Sequence, residues 1–179
     1  MATELDVLRI VSDRLSGRGL PFMLTGSFAL AYYATPRMTR DLDLVVALED
    51  QDVDPLVSAF ASDFYIDPDA VHEAVASRRL FNLMHLSSGI KVDMIVRKSS
   101  EYRQVEFARR QSVMLGGVST WIVSREDLVL SKLVWAKEGD SELQRRDVRL
   151  LLGEGLDIAY VRTWAARLGV LALLDQVST

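Results

Sequence analysis

The 179-residue chain has no cysteine, two histidines, four prolines and no run of eighteen apolar residues. Without cysteine there is neither a disulfide framework nor a thiolate metal centre, and a reducing compartment is compatible. His72 and His85 alone do not furnish a histidine-rich zinc site. No apolar stretch is long enough to cross a bilayer as a helix, so no membrane partner is expected. The first residues, Met-Ala-Thr-Glu-Leu-Asp, hold neither a basic cluster nor an apolar run. No leader is therefore expected, and the cytoplasm is the expected compartment. An excess of positive charge is missing too. The 21 Lys and Arg against 25 Asp and Glu leave a net charge of −4, which argues against nonspecific coating of nucleic acid.

What is present is an ordinary globular composition, 49% apolar and 26% charged. The length suffices for one domain, or one core with a helical appendage. Thr3 with Asp6 forms a capping box ahead of Leu5, Leu8, Val11 and Leu15, which recur at helical spacing up to Gly17. Short strands are predicted over 22–24 and 41–46, with a small helix opening at Gly26 between them. Helical stretches follow over 52–61 and 67–76. The apolar runs 80–86 and 90–96, joined by Ser87-Ser88-Gly89, read as a hairpin. A helix over 100–109 and two short strands flanking Gly116-Gly117 complete this half. Ser124 with Asp127 and Ser141 with Gln144 then cap two further helices, and 157–168 and 170–177 are also helical. Strands concentrated before residue 123 and helices after it predict an α+β fold with a mixed sheet. The expected division is a sheet-bearing catalytic core over 1–123 and a helical C-terminal subdomain over 124–179.

The chemistry concentrates at three places. In Asp41-Leu42-Asp43 the two acids point to one side of a strand while Leu42, Leu44 and Val46 face the core. Carboxylates so placed repel each other unless a cation lies between them, and oxygen-only ligands favour Mg²⁺. Asp93 sits in the apolar run Val92-Asp93-Met94, where a bare charge is costly. Lys91 is not expected to be its ion-pair partner, and a shared metal is the more economical one. Gly26-Ser27 opens a helix, whose unpaired N–H groups suit phosphate, although small residues also serve as plain caps. Arg37, Thr39 and Arg40 lead into the acid pair, and the arginines suit phosphate oxygens.

Gly26-Ser27, Arg37-Met38-Thr39-Arg40-Asp41-Leu42-Asp43-Leu44 and Lys91-Val92-Asp93 together resemble the signature of the nucleotidyltransferase superfamily shared with DNA polymerase beta. Within it the chain is most similar to small bacterial proteins related to AbiEii-type toxins. Lys132 and the Arg146-Asp147 pair match the distal charges of that group. The resemblance implies a nucleotidyltransferase-like sheet flanked by helices and a Mg²⁺-dependent transfer of NMP from an NTP to a hydroxyl. Asp41, Asp43 and Asp93 would bind two Mg²⁺ ions, with Asp93 on the acceptor side. Gly26 and Ser27 would hold the β and γ phosphates. Lys132 would offset triphosphate charge, and Asp147 would orient Lys132 or the acceptor. RNA, tRNA or protein is the implied acceptor and a cognate antitoxin the implied partner. The alternatives are a small-molecule enzyme of the antibiotic-modifying kind and a noncatalytic nucleotide- or partner-binding module.

Other conspicuous residues receive plainer readings. Trp121, Trp135 and Trp164 are expected in packing, as are Tyr32 and Tyr33. His85 is expected to be structural and His72 to lie on the surface.

Overall fold

The computed structural model of the protein describes residues 2–34 and 41–178. Helix α1 (Glu4–Gly17) starts at Thr3, whose hydroxyl accepts the Asp6 N–H while the Asp6 carboxylate accepts the Thr3 N–H. Its Val7, Leu8, Val11 and Leu15 are buried, as the spacing predicts. Strand β1 (Phe22–Thr25) runs directly into α2 (Gly26–Tyr33), and β2 (Leu42–Val46) follows. Helix α3 (Val53–Phe60), β3 (Phe64–Tyr65) and α4 (Pro68–Ser77) lead to the hairpin β4 (Leu80–His85) and β5 (Lys91–Val96). Helix α5 (Glu101–Ala108) precedes β6 (Gln111–Leu115) and β7 (Val118–Ile122). Four helices close the chain: α6 (Arg125–Gly139), α7 (Glu142–Leu151), α8 (Ile158–Arg167) and α9 (Leu171–Val177).

The strands form one mixed sheet in the order β3-β4-β5-β2-β1-β7-β6. This is an α+β fold, with the sheet flanked by helices. Strand β2 pairs antiparallel with β1 and parallel with β5, so the first acid strand and the strand of Asp93 are neighbours. Alternation along β2 and β5 buries Leu42, Leu44, Val46, Val92, Met94 and Val96 on one face. The acids occupy the other face. Helix α2 packs on β1 and β2, and α6 packs on α2. Val129, Leu133, Val148, Val161 and Leu174 of the C-terminal helices share a continuous apolar core with the sheet.

Boundaries match the sequence-based expectations within a few residues, with two differences that matter. Asp41 lies just before β2 rather than within it. The two-residue strand β3 was not expected. It pairs with β4 through Phe64 opposite His85 and Tyr65 opposite Met84.

Candidate active site

Strand register fixes the centre of the site. Asp43 is paired with Asp93 on β5 and with Thr25 on β1, and Asp93 is paired with Asn82 on β4. Thr25, Asp43, Asp93 and Asn82 therefore form one row across four strands, spaced about 4.8 Å apart. The neighbouring row toward the strand starts contains Lys91 and Met84.

Lys91 corrects the sequence-based expectation. Its ammonium lies 3.1 Å from Asp93 and 3.8 Å from Asp41. Positions 91 and 93 are two apart in one strand, so both side chains leave the same face and the ion pair forms readily. The Asn82 amide also donates to Asp93 Oδ1. Asn82 and Lys91 thus hold the third carboxylate, and nothing in the sequence singles out Asn82.

Asp43 is the strained member. Burial raises its pKa from 3.8 to about 6, with further increases from Asp93 and Asp41 and opposing effects from Lys132 and Lys91. Asp43 thus feels both neighbouring acids, which is the condition a cation relieves. Among the described residues they do not form a closed cage of three metal-binding side chains.

Gly26 has φ +64°, and a Cβ built on it would collide with the Asp43 carboxylate. The glycine therefore serves two purposes: it supplies a left-handed backbone at the start of α2, and it leaves room for Asp43 beneath it. Gly26→Ala is expected to cost about 2 kcal/mol or more in urea denaturation, from backbone strain and the displaced carboxylate. Ser27→Ala, which adds no side-chain volume and keeps an ordinary helical backbone, is expected to cost less than Gly26→Ala, about 1 kcal/mol or below.

Lys132 and Asp147 are each 1% exposed, and their charged atoms lie 2.7 Å apart. Lys132 also donates to the Gln144 side chain at 3.1 Å. Asp147 therefore contacts Lys132 directly. Lys132, Gly26, Ser27 and Asp43 line one cavity of about 440 Å³. The remainder of that cavity is walled by Arg78, Arg79, Leu80, Ile95, Lys98 and Trp135, with Gln144 beside Lys132. Trp135 was expected in packing, yet it lines the cavity, because it lies one helical turn beyond Lys132 on α6. Arg37, Thr39 and Arg40 lie outside the described residues.

The other readings are plain. Tyr33 donates to the Val123 carbonyl at 2.8 Å and packs edge-on against Tyr32. His85 is buried, with Nδ1 2.8 Å from Ser88 Oγ, and His72 is exposed. Trp164 is buried, whereas Trp121 is 37% exposed beneath Arg110. Asp127 does more than cap α6. It is fully buried and accepts from Arg109 Nε at 2.9 Å, the Ser124 hydroxyl at 2.6 Å and the Tyr160 hydroxyl at 2.7 Å.

This sheet, with a helix opening at Gly-Ser beside carboxylates on adjacent strands, is a nucleotidyltransferase fold. The antibiotic-resistance factor ANT(2'')-Ia, solved with adenylyl-2''-tobramycin, matches with a TM-score of 0.60 at 14% identity, over 92% of this chain and 95% of that one. The lincosamide antibiotic adenylyltransferase LnuA, solved with lincomycin bound, gives 0.55 at 12% identity, over 84% and 96%. An antigenic nucleotidyltransferase-like protein from Paracoccidioides brasiliensis gives 0.55 at 18% identity, over 83% and 75%. At these identities the likeness is one of fold. No protein-family model and no curated protein matches the sequence.

Proposed function

We propose that the protein is a Mg²⁺-dependent nucleotidyltransferase that moves NMP from an NTP to an acceptor hydroxyl. The observation that carries this reading is the Asp43–Asp93 pairing on parallel strands, beside the glycine-opened helix start of α2. Asp41, Asp43 and Asp93 would hold the metal, which supplies charge stabilisation to the entering and leaving oxygens. Gly26 and Ser27 offer N–H and hydroxyl donors to the phosphates at a helix N-terminus. Lys132 sets positive charge at the same cavity wall, and Asp147 fixes its position. Asp93, held by Asn82 and Lys91, faces the acceptor. On this reading residues 1–123 carry the carboxylates and 124–179 supply the Lys132 wall.

The acceptor in the first reading is RNA, tRNA or protein, as in the AbiEii-type toxins, with an antitoxin as partner and the cytoplasm as location. A small hydroxylated molecule is the second reading. It is favoured by the antibiotic adenylyltransferases that match over nearly their whole lengths. Incubation with labelled NTPs and Mg²⁺, in the presence of bulk RNA, the protein itself or aminoglycosides, tests both. Label on one acceptor class selects the reading. Metal-dependent NTP binding with no transfer to any acceptor supports a noncatalytic binding module instead.

The metal requirement has its own test. NTP affinity measured by calorimetry is expected to rise about tenfold or more when Mg²⁺ is added, since phosphate completes the coordination. Equal affinity with and without Mg²⁺ contradicts the metal role.

A further inference from the structure

The cavity reaches well past Asp43, and its far part differs from the near one. Ile95 lies two residues beyond Asp93 on the same face of β5, about 6.6 Å along the strand, and is paired with Leu80. These two side chains give the far part an apolar floor. Trp135 faces it from α6 and also lines a smaller adjoining cavity with Arg103 and Glu106. The buried Arg103–Glu106–Ser131 network lies beside the indole, with Arg103 2.8 Å from Glu106 and the Ser131 hydroxyl 2.5 Å from the same carboxylate.

Cations close the far end. Arg78 is committed elsewhere, donating to both Glu49 oxygens at 3.1 Å. Arg79 and Lys98 also line the cavity, and neither has a hydrogen-bonded or ion-paired side chain among the described residues. Among the residues lining that end, the polar side chains are donors only. The near end contains Gly26, Ser27, Lys132 and Asp43, so it suits the phosphates and their metal. What remains is a slot with an aromatic wall, an aliphatic floor and a fork of N–H donors.

We propose that this slot seats the base of the donor nucleotide and selects guanine over adenine. The proposal rests on the nucleotidyltransferase reading and names its donor substrate. Guanine presents two acceptors, O6 and N7, on one edge, which an arginine fork meets with two parallel bonds. Adenine keeps N7 but places its N6 amine where guanine has O6, so there donor would face donor and one of the two Arg79 bonds would be lost. Pyrimidines cover less of the indole and offer a shorter edge. Arg79 is the specificity-determining residue, Lys98 adds a second donor, and Trp135 supplies the stacking surface.

Calorimetry with GTP, ATP, UTP and CTP, each with Mg²⁺, tests the proposal on the wild type, Arg79→Ala, Arg79→Lys and Trp135→Leu. GTP is expected to bind about tenfold or more tighter than ATP. In Arg79→Ala the GTP affinity should fall toward that of ATP. Arg79→Lys should recover only part of the preference, since a point charge lacks the fork. Trp135→Leu should weaken the purine nucleotides more than the pyrimidine ones. Arg79 is exposed, so its variants are expected to fold normally. Equal binding of all four NTPs, or an unchanged GTP-to-ATP ratio in Arg79→Ala, overturns the base selection and leaves the nucleotidyltransferase reading intact. Failure of every NTP to bind removes both.

Discussion

Asp43→Asn is expected to lower nucleotidyl transfer by about a thousandfold or more, the scale of losing metal stabilisation of a transferring phosphoryl group. The same substitution is expected to stabilise the metal-free fold. Asp43 binds its proton more tightly in the folded chain, with a pKa near 6 against 3.8 unfolded. A raised carboxylate pKa means that the charged form is penalised by folding. The penalty is full above pH 6, shrinks as pH falls through that value, and is gone below the unfolded pKa. Asparagine carries no such penalty. In EDTA at pH 7.5, Asp43→Asn should therefore gain about 2–3 kcal/mol over the wild type, and the gain should shrink to about 0.5 kcal/mol near pH 4. Denaturation at the two pH values reads this directly, and a destabilised variant at pH 7.5 contradicts it. Asp93→Asn should also lose transfer while still binding NTP, because its place is on the acceptor side. A fully active Asp43→Asn protein ends the nucleotidyltransferase reading.

The second large effect concerns Lys132. Replacing it with Met takes the Lys132 ammonium away from the Asp147 carboxylate, which is 1% exposed. Breaking a buried pair from one side costs about 3–5 kcal/mol, because the remaining charge stays desolvated. For a chain of this length that corresponds to a fall in melting temperature of roughly 10 °C. The double variant Lys132→Met with Asp147→Leu removes both charges and should recover most of the loss. A single variant within about 1 kcal/mol of wild type would mean that the pair is solvated in solution. Separating these results matters for function, since Lys132 also lowers the pKa of Asp43.

Period and capping made most elements readable. Thr3, Ser124 and Ser141 mark helix starts through side-chain bonds that their sequence spacing announces. The alternation in Leu42–Val46 and Lys91–Val96 likewise announces which residues face inward. The acids stood out for the same reason, as charges within apolar runs. Strand β3 escaped because two residues carry no period. Partnerships across strands were harder. That Asn82 meets Asp93 depends on the hairpin register, and that Gly26 must lack a side chain depends on where β2 places Asp43. Lys91 differs in being legible, since its period-2 relation to Asp93 places both side chains on one face. Trp135, Arg79 and Lys98 belong to three separate segments, and only tertiary packing brings them to one cavity.

The position of β1 in the sheet bears on how the chain is made. This strand lies between β2 and β7, and its residue Leu24 pairs with Ile122. During synthesis one edge of β1 therefore waits for nearly a hundred residues to leave the ribosome. Until then its unsatisfied backbone groups and apolar side chains offer a template for another chain. Fragments that end between β5 and β7 are expected to aggregate, even though they contain all three carboxylates. Extending such a fragment through residue 122 would supply the missing neighbour of β1, whereas enriching it in charge elsewhere would leave that edge open.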